Sequence, residues 1–193
     1  MDAFRWLART LASRSREALK AKDVPPGAPK QLRVGRGGEV PVFPPLAALL
    51  LSGASVAAWG LTGLRLRFIP SALPVAAQLA LSAAVLVASG RTKTACDAAL
   101  IQAGTEANFA AVSRVARTGP YAVCRNAMYV ALAAMPLALA LATDSAWLLF
   151  AAMGTLAYTD LIVVPVEEAF LREQLGEDYK RYCTEVPRWP WGG

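Results

Sequence analysis

Residues 44–64 read PPLAALLLSGASVAAWGLTGL, a run without a single charged side chain. At about 1.5 Å per residue a helix of that length reaches roughly 32 Å, enough to cross the hydrocarbon core of a bilayer. A second uncharged run, residues 69–89 (IPSALPVAAQLALSAAVLVAS), follows after only Arg65, Leu66, Arg67 and Phe68. The short connector predicts a tight antiparallel hairpin, with Pro70 in the first turn of the second helix and Pro74 as a kink. Further on, residues 129–143 form a shorter apolar run and residues 145–166 a longer one, with Asp144 and Ser145 as the only turn signal between them. These predict a second hairpin, whose first helix begins inside the interface at Arg125. Ala and Gly crowd all four runs, as expected where helices pack closely in lipid.

Composition agrees. Of 193 residues, 55% are hydrophobic and only 18% charged, and the mean hydropathy is +0.38. Those values exclude an ordinary soluble domain and an intrinsically disordered chain. The fold class is therefore all-α, an integral membrane bundle of about four transmembrane helices in two hairpins, flanked by N-terminal and C-terminal amphipathic helices. The chain contains no histidine, which removes His-based zinc sites, Ser-His-Asp triads and the commonest general base. Cys96, Cys124 and Cys183 are odd in number and far apart, so neither a disulfide framework nor a Cys-x-x-Cys metal site is indicated, and they read as free thiols.

Of the twenty Lys and Arg residues, nine precede the first run, two lie between the first and second, five between the second and third, and four follow the fourth. The positive-inside rule then puts both termini and the central loop on the cytoplasm-like side of a multi-pass protein, although the two arginines in the first short turn oppose the bias. Residues 1–22 place Phe4, Leu7, Leu11 and Leu19 at helical spacing among Arg5, Arg9, Arg14, Arg16, Lys20 and Lys22. Such a basic amphipathic helix suits an anionic membrane surface or a partner subunit. Organelle transit peptides share its Arg- and Ser-rich, acid-poor composition. Residues 23–43 are a Pro- and Gly-rich linker, in which Gly35-Arg36-Gly37-Gly38 lacks the flanking strand and helix of a phosphate loop. The first pair of runs occupies residues 44–89. Residues 90–124 form a cytosolic-side loop with an amphipathic stretch over 95–115, and residues 125–166 hold the second pair. Residues 167–193 form a C-terminal helix, with a break expected at Gly176, and a tail whose tryptophans are expected at headgroup level. The basic charge is accounted for by the membrane surface, so no nucleic-acid partner is implied.

Two clusters carry chemistry. The first is Gly119-Pro120-Tyr121-Ala-Val-Cys-Arg125-Asn126-Ala127-Met128-Tyr129. The second comprises Glu167-Glu168, Leu171, Leu175-Gly176, Tyr179, Tyr182 and Val186-Pro187-Arg188-Trp189. Together they resemble the integral-membrane methyltransferases that include isoprenylcysteine carboxyl methyltransferase and the phospholipid N-methyltransferases, over roughly residues 105–189. Where that family has Arg-His-Pro-Met-Tyr, this chain has Asn126-Ala127 in place of His-Pro.

The resemblance implies S-adenosylmethionine enclosed by the cytosolic helix ends and the C-terminal segment, and a lipid-linked or isoprenoid carboxylate as acceptor. It places Arg125 and Glu168 as catalytic residues. Tyr121, Asn126, Tyr129, Glu167 and Tyr179 are implied as cofactor-binding residues, carboxylates serving hydroxyls or the sulfonium charge and aromatic rings serving a cation or adenine. Arg125 can clamp a carboxylate by a bidentate pair or can anchor the third span at the interface. Methyl transfer to a carboxylate needs alignment and exclusion of water but no general base, which suits a chain without histidine. The alternative is a catalytically degenerate relative that serves as an accessory transmembrane subunit of a larger membrane complex, motivated by the His-Pro replacement and the basic arm. Asp160, inside the fourth run, lies seven residues before Glu167, about −20° away on a helical wheel, so both can face one interior. It can equally pair with Arg114 or Arg117.

Overall fold

A computed structural model describes residues 40–70, 73–104 and 114–192. Within them the regular elements are helical, apart from a lone bridge between Trp189 and Gly192. They comprise α1 (Pro44–Thr62), α2 (Val75–Gln102), a 3-10 turn (Gly119–Ala122), α3 (Ala127–Thr143), α4 (Ala146–Tyr158), a π-helical turn (Thr159–Val163) and α5 (Val164–Glu185). The last three run on as one helix of 40 residues. Among the described residues three helices are long and apolar enough to span a membrane, and α3, with 17 residues, is a shorter apolar helix. The all-α membrane architecture expected from the sequence is therefore present. The basic helix of residues 1–22, most of the linker and the amphipathic segment beyond Gly104 lie outside the described residues.

Local chemistry sets the helix ends. Pro44 and Pro45 open α1, where a missing N–H costs nothing, and Gly63 closes it at φ 62°, donating its N–H to the Trp59 carbonyl. Pro74 is not a kink within the second span. It is the cap before α2, and the Leu73 N–H just ahead of it turns back to the Pro70 carbonyl (3.0 Å), in keeping with a proline's disfavour for helix in the residue before it. In compensation α2 continues well past residue 89, absorbing Gly90 and the start of the stretch expected as a separate loop helix. A Lys93–Asp97 pair at i,i+4 spacing (2.6 Å) supports this extension, and Cys96, Ala99 and Leu100 bury its inner face.

Polar side chains align the helices. Along one stripe of α2, Gln78, Ser82 and Ser89 donate to the carbonyls of Leu141, Ala138 and Ala131 at 2.7 Å each, which sets the antiparallel register of α2 against α3. Buried Ala131, Ala138 and Ala140 let the backbones come close enough for those bonds. Helix α3 packs in turn on α4, and α4 on α1. Gly154 of α4 faces Leu51 of α1 across the last contact, where an added Cβ would lie 3.4 Å from Leu51 Cδ1. At the other end of α1 the Tyr158 hydroxyl donates to the Val42 carbonyl (2.6 Å) and accepts from its N–H (3.0 Å), tying the end of the linker to α4.

Helix α1 thus lies against α4 rather than against α2, and the tight packing expected of the first two spans is replaced by a connector clamped to the α3–α4 turn. The clamp is Asp144, held in the left-handed region at φ 49°. Its carboxylate accepts from Arg67 Nε and from the backbone N–H groups of Phe68 (3.0 Å) and Ile69 (2.8 Å). Ala146 N–H and Trp147 Nε1 add bonds to the carbonyls of Leu66 (2.8 Å) and Leu64 (2.9 Å). With five of its polar groups drawn toward this turn, the connector of residues 63–74 leads α1 away from α2 instead of closing one onto the other.

The Arg67 hydrogen bond holds the Asp144 carboxyl below its usual value of 3.8. A folded-state value depressed in this way contributes stability above the unfolded value and loses it as pH falls through the folded one. The melting temperature in detergent should therefore drop as pH is lowered below about 4, and Asp144→Asn, which also tolerates the left-handed conformation, should remove that part of the pH dependence.

Candidate functional site

At the end of the bundle opposite Asp144, the two sequence clusters meet. Gly119, at φ 59°, lets the Gly-Pro-Tyr turn approach α2, where an added Cβ would lie 3.7 Å from the Ala95 carbonyl oxygen. Tyr121, Cys124 and Ala127 then pack with Cys96, Ala99 and Leu100 in one apolar cluster, and burial pushes the Cys124 thiol above its ordinary value. From the other side the C-terminal tail folds back. Arg125 N–H donates to the Pro187 carbonyl (3.0 Å), Asn126 Nδ2 to the Arg188 carbonyl (3.1 Å) and the Tyr182 hydroxyl to the Tyr121 carbonyl (2.7 Å).

Glu168, 3% exposed, is the hub. Its Oε1 faces Arg125 Nη1 (3.1 Å) and Arg188 Nε (3.1 Å), and its Oε2 faces Arg172 Nη2 (2.8 Å) and Arg188 Nη2 (2.8 Å). A carboxylate offers about four lone-pair sites, and here hydrogen bonds from Arg172 and Arg188 take three while Arg125 stands beside it as an ion pair. The Glu168 bond raises the Arg188 guanidinium above its ordinary value. Three guanidiniums on one carboxylate leave cationic capacity unspent. Arg125 also donates to Cys183 Sγ (2.6 Å), while its Nε is buried without any hydrogen-bond partner.

Next in sequence, Glu167 accepts from the Tyr129 hydroxyl. Both carboxylates border a cleft of about 690 Å³, mouth included. All seven residues singled out from the sequence border it: Arg125 and Glu168 together with Tyr121, Asn126, Tyr129, Glu167 and Tyr179. Leu100, Leu171 and Leu175 complete an apolar wall, and Gly176 bends the end of α5 around it, adopting φ 55° and ψ −127° at the expected break.

Other expectations are corrected. Asp160 does not border the cleft and pairs with neither Arg114 nor Arg117. It accepts from Trp189 Nε1 (2.8 Å) and lies 3.7 Å from Arg188, whereas Arg117 pairs with Asp178 (2.9 Å) and Glu185 (2.5 Å). The π turn at Thr159–Val163 is the reason, since its wider winding shifts the angular phase between Asp160 and Glu167. Trp189 is not a headgroup anchor: it is buried at 8% exposure, with Trp191 stacked on it at 5.5 Å. Sequence reasoning left out Arg188 and Arg172 as site residues. Arg172 was legible as the i+4 neighbour of Glu168, whereas Arg188 reaches the site only because the tail folds back.

The phospholipid methyltransferase family model matches residues 66–178, more than half of the chain. The chain belongs to the phospholipid methyltransferase family. No curated protein and no solved structure matches it. The matched region carries the Gly-Pro-Tyr turn, Arg125 to Tyr129 and both carboxylates of this phospholipid methyltransferase family member, while Cys183 and Arg188 lie beyond it. Asn126, where the resemblance had led to His, spends its side-chain amide on the tail carbonyl, a task that needs a donor and no titration. Ala127 in place of Pro gives up only a preset φ, because the N–H at a helix start has no helical partner in either case.

Removing the Glu168 charge leaves guanidiniums facing one another in a covered site. Glu168→Gln should therefore destabilise the protein by about 3 kcal/mol, against less than about 1 kcal/mol for the half-exposed Arg172→Gln, as read from thermal unfolding in detergent. For the tail, Asn126→Ala should cost about 1 kcal/mol and increase protease cleavage near residue 188, while Asn126→His keeps a donor and should cost less.

Proposed function

We propose that this membrane methyltransferase-like protein transfers a methyl group from S-adenosylmethionine to the carboxylate of a lipid-linked or isoprenoid acceptor. The observation that carries the reading is the cleft, in which a buried, unpartnered Arg125 Nε, a tyrosine-bound carboxylate and an apolar wall meet within the region matched by the family.

The residues present fit the cofactor chemically. Arg125, which borders the cleft, has an unspent donor for its carboxylate, Glu167 can accept from ribose hydroxyls, and Tyr121 and Tyr129 offer aromatic faces to adenine or to a cation. The cofactor, when bound, supplies a methyl group activated by a sulfonium. Everything else falls to the protein. Leu100, Leu171 and Leu175 exclude water, which strengthens each electrostatic contact and protects the in-line displacement from hydrolysis. A carboxylate acceptor arrives with its nucleophilic electron pair free, so no base is required and the chain's lack of histidine is no obstacle. Glu168, already engaged by three guanidiniums, acts as a positioning residue for Arg125. Placement of both termini and the cleft on the cytoplasm-like side follows from the excess of Lys and Arg outside the two short turns.

The test is equilibrium binding of labelled S-adenosylmethionine to the purified full-length protein, followed by transfer of labelled methyl to extracted isoprenoid and lipid carboxylates. Binding and base-labile label in the lipid fraction are expected, both lost in Arg125→Ala and retained in Arg91→Gln. No binding at millimolar cofactor would overturn the proposal and leave the accessory-subunit reading in its place.

A further inference from the structure

A second hollow, of about 850 Å³ with its mouth included, lies at the other end of the bundle between the diverging ends of α1 and α2 and the α3–α4 turn. Its charged lining consists of Arg65, Arg67 and Asp144, a net surplus of one positive charge. Asp144 is already satisfied by Arg67 Nε and two backbone N–H groups. Arg65 is exposed and has no hydrogen bond or ion pair among the described residues, and the outer Nη groups of Arg67 are likewise without a partner there. Two indoles, Trp59 and Trp147, stand in the walls, the side chain that favours the boundary between headgroups and acyl chains. Beside the hollow, Leu61, Leu64 and Val75 are exposed at 88%, 51% and 66%, continuous with the apolar surfaces of α1 and α2.

We propose that this hollow binds the headgroup of one anionic phospholipid from the leaflet opposite the candidate active site, with its phosphate on Arg65 and the outer edge of Arg67. The chemistry selects that ligand from two sides. Guanidiniums with free forked donors match phosphate oxygens, and a net positive lining favours a ligand that carries net negative charge. The apolar rim requires a ligand whose polar group is joined to hydrocarbon, which a free phosphate is not. The arrangement also explains why two arginines sit in a turn where the positive-inside rule disfavours them: they are placed to meet a lipid rather than to orient the helix.

The site is independent of methyl transfer, and so is its test. Delipidated full-length protein in detergent is titrated with phosphatidylglycerol and, separately, with phosphatidylcholine, and bound lipid is counted by native mass spectrometry. Other basic residues also attract anionic lipid, so the readout is the difference between variants. One phosphatidylglycerol should be retained most tightly, Arg65→Gln should weaken its retention about fivefold, and Arg91→Gln should leave it unchanged. Arg65 has no partner among the described residues, so its replacement should not alter the melting temperature. Equal retention by wild type and Arg65→Gln would overturn the proposal. So would displacement of the lipid by millimolar inorganic phosphate, which would assign the site to the free anion, or equal affinity for phosphatidylcholine, which would remove the role of net charge.

Discussion

A single carboxylate, Glu168, ties its own helix to the loop before α3 and to the C-terminal tail. Arg125 comes from the loop before α3, Arg172 from the next turn of α5 and Arg188 from the tail, and of the three Arg125 brings its positive charge into a largely covered region. Burying cations is costly unless a counter-charge and sufficient acceptors accompany them. Glu168 provides both, and because three guanidiniums engage it, it behaves as a structural keystone, leaving Glu167 as the carboxylate with capacity toward the cleft. Backbone bonds from Arg125, Asn126 and Tyr182 then convert an electrostatic meeting into a defined geometry.

A comparable device closes the opposite end. Asp144 gathers a guanidinium and two backbone N–H groups from the connector, so the second pair of helices determines where the first pair diverges. Between the two ends, the α2 stripe of Gln78, Ser82 and Ser89 runs against α3 carbonyls. In a bilayer, where hydrophobic association between helices is weak, such bonds and the close approach permitted by alanine supply the specificity that a packed apolar core supplies in water. The openings at the two ends are therefore products of the same principle: polar groups pull selected segments together, and space remains where none do.

Asn126 shows how a departure from a family pattern can be read physically. The side chain sits at 8% exposure with its amide directed to a tail carbonyl, so the residue keeps the connection between the two clusters while giving up titration. Acceptance of a methyl group by a carboxylate requires no titrating group, and the loss is compatible with that chemistry. It is less compatible with an acceptor that must first surrender a proton.

Much was legible in the chain before folding. Long uncharged runs can satisfy their backbone in lipid only as helices, so composition and run length determined the helical membrane class and the approximate spans. The resemblance of the two motif clusters to the family brought out the seven residues that border one cleft, and Gly176 marked its own break. Tertiary structure alone decided the rest. Which helix lies beside which depended on Asp144 and on the α2 stripe, short polar contacts between residues dozens of positions apart. The separation of Asp160 from Glu167 depended on a π turn, because one change of winding overrides the ideal helical wheel. The roles of Arg188 and Trp189 arise only when the tail folds back, since electrostatic and hydrogen-bond partners are chosen by proximity in space, which linear spacing encodes within a helix and not between segments.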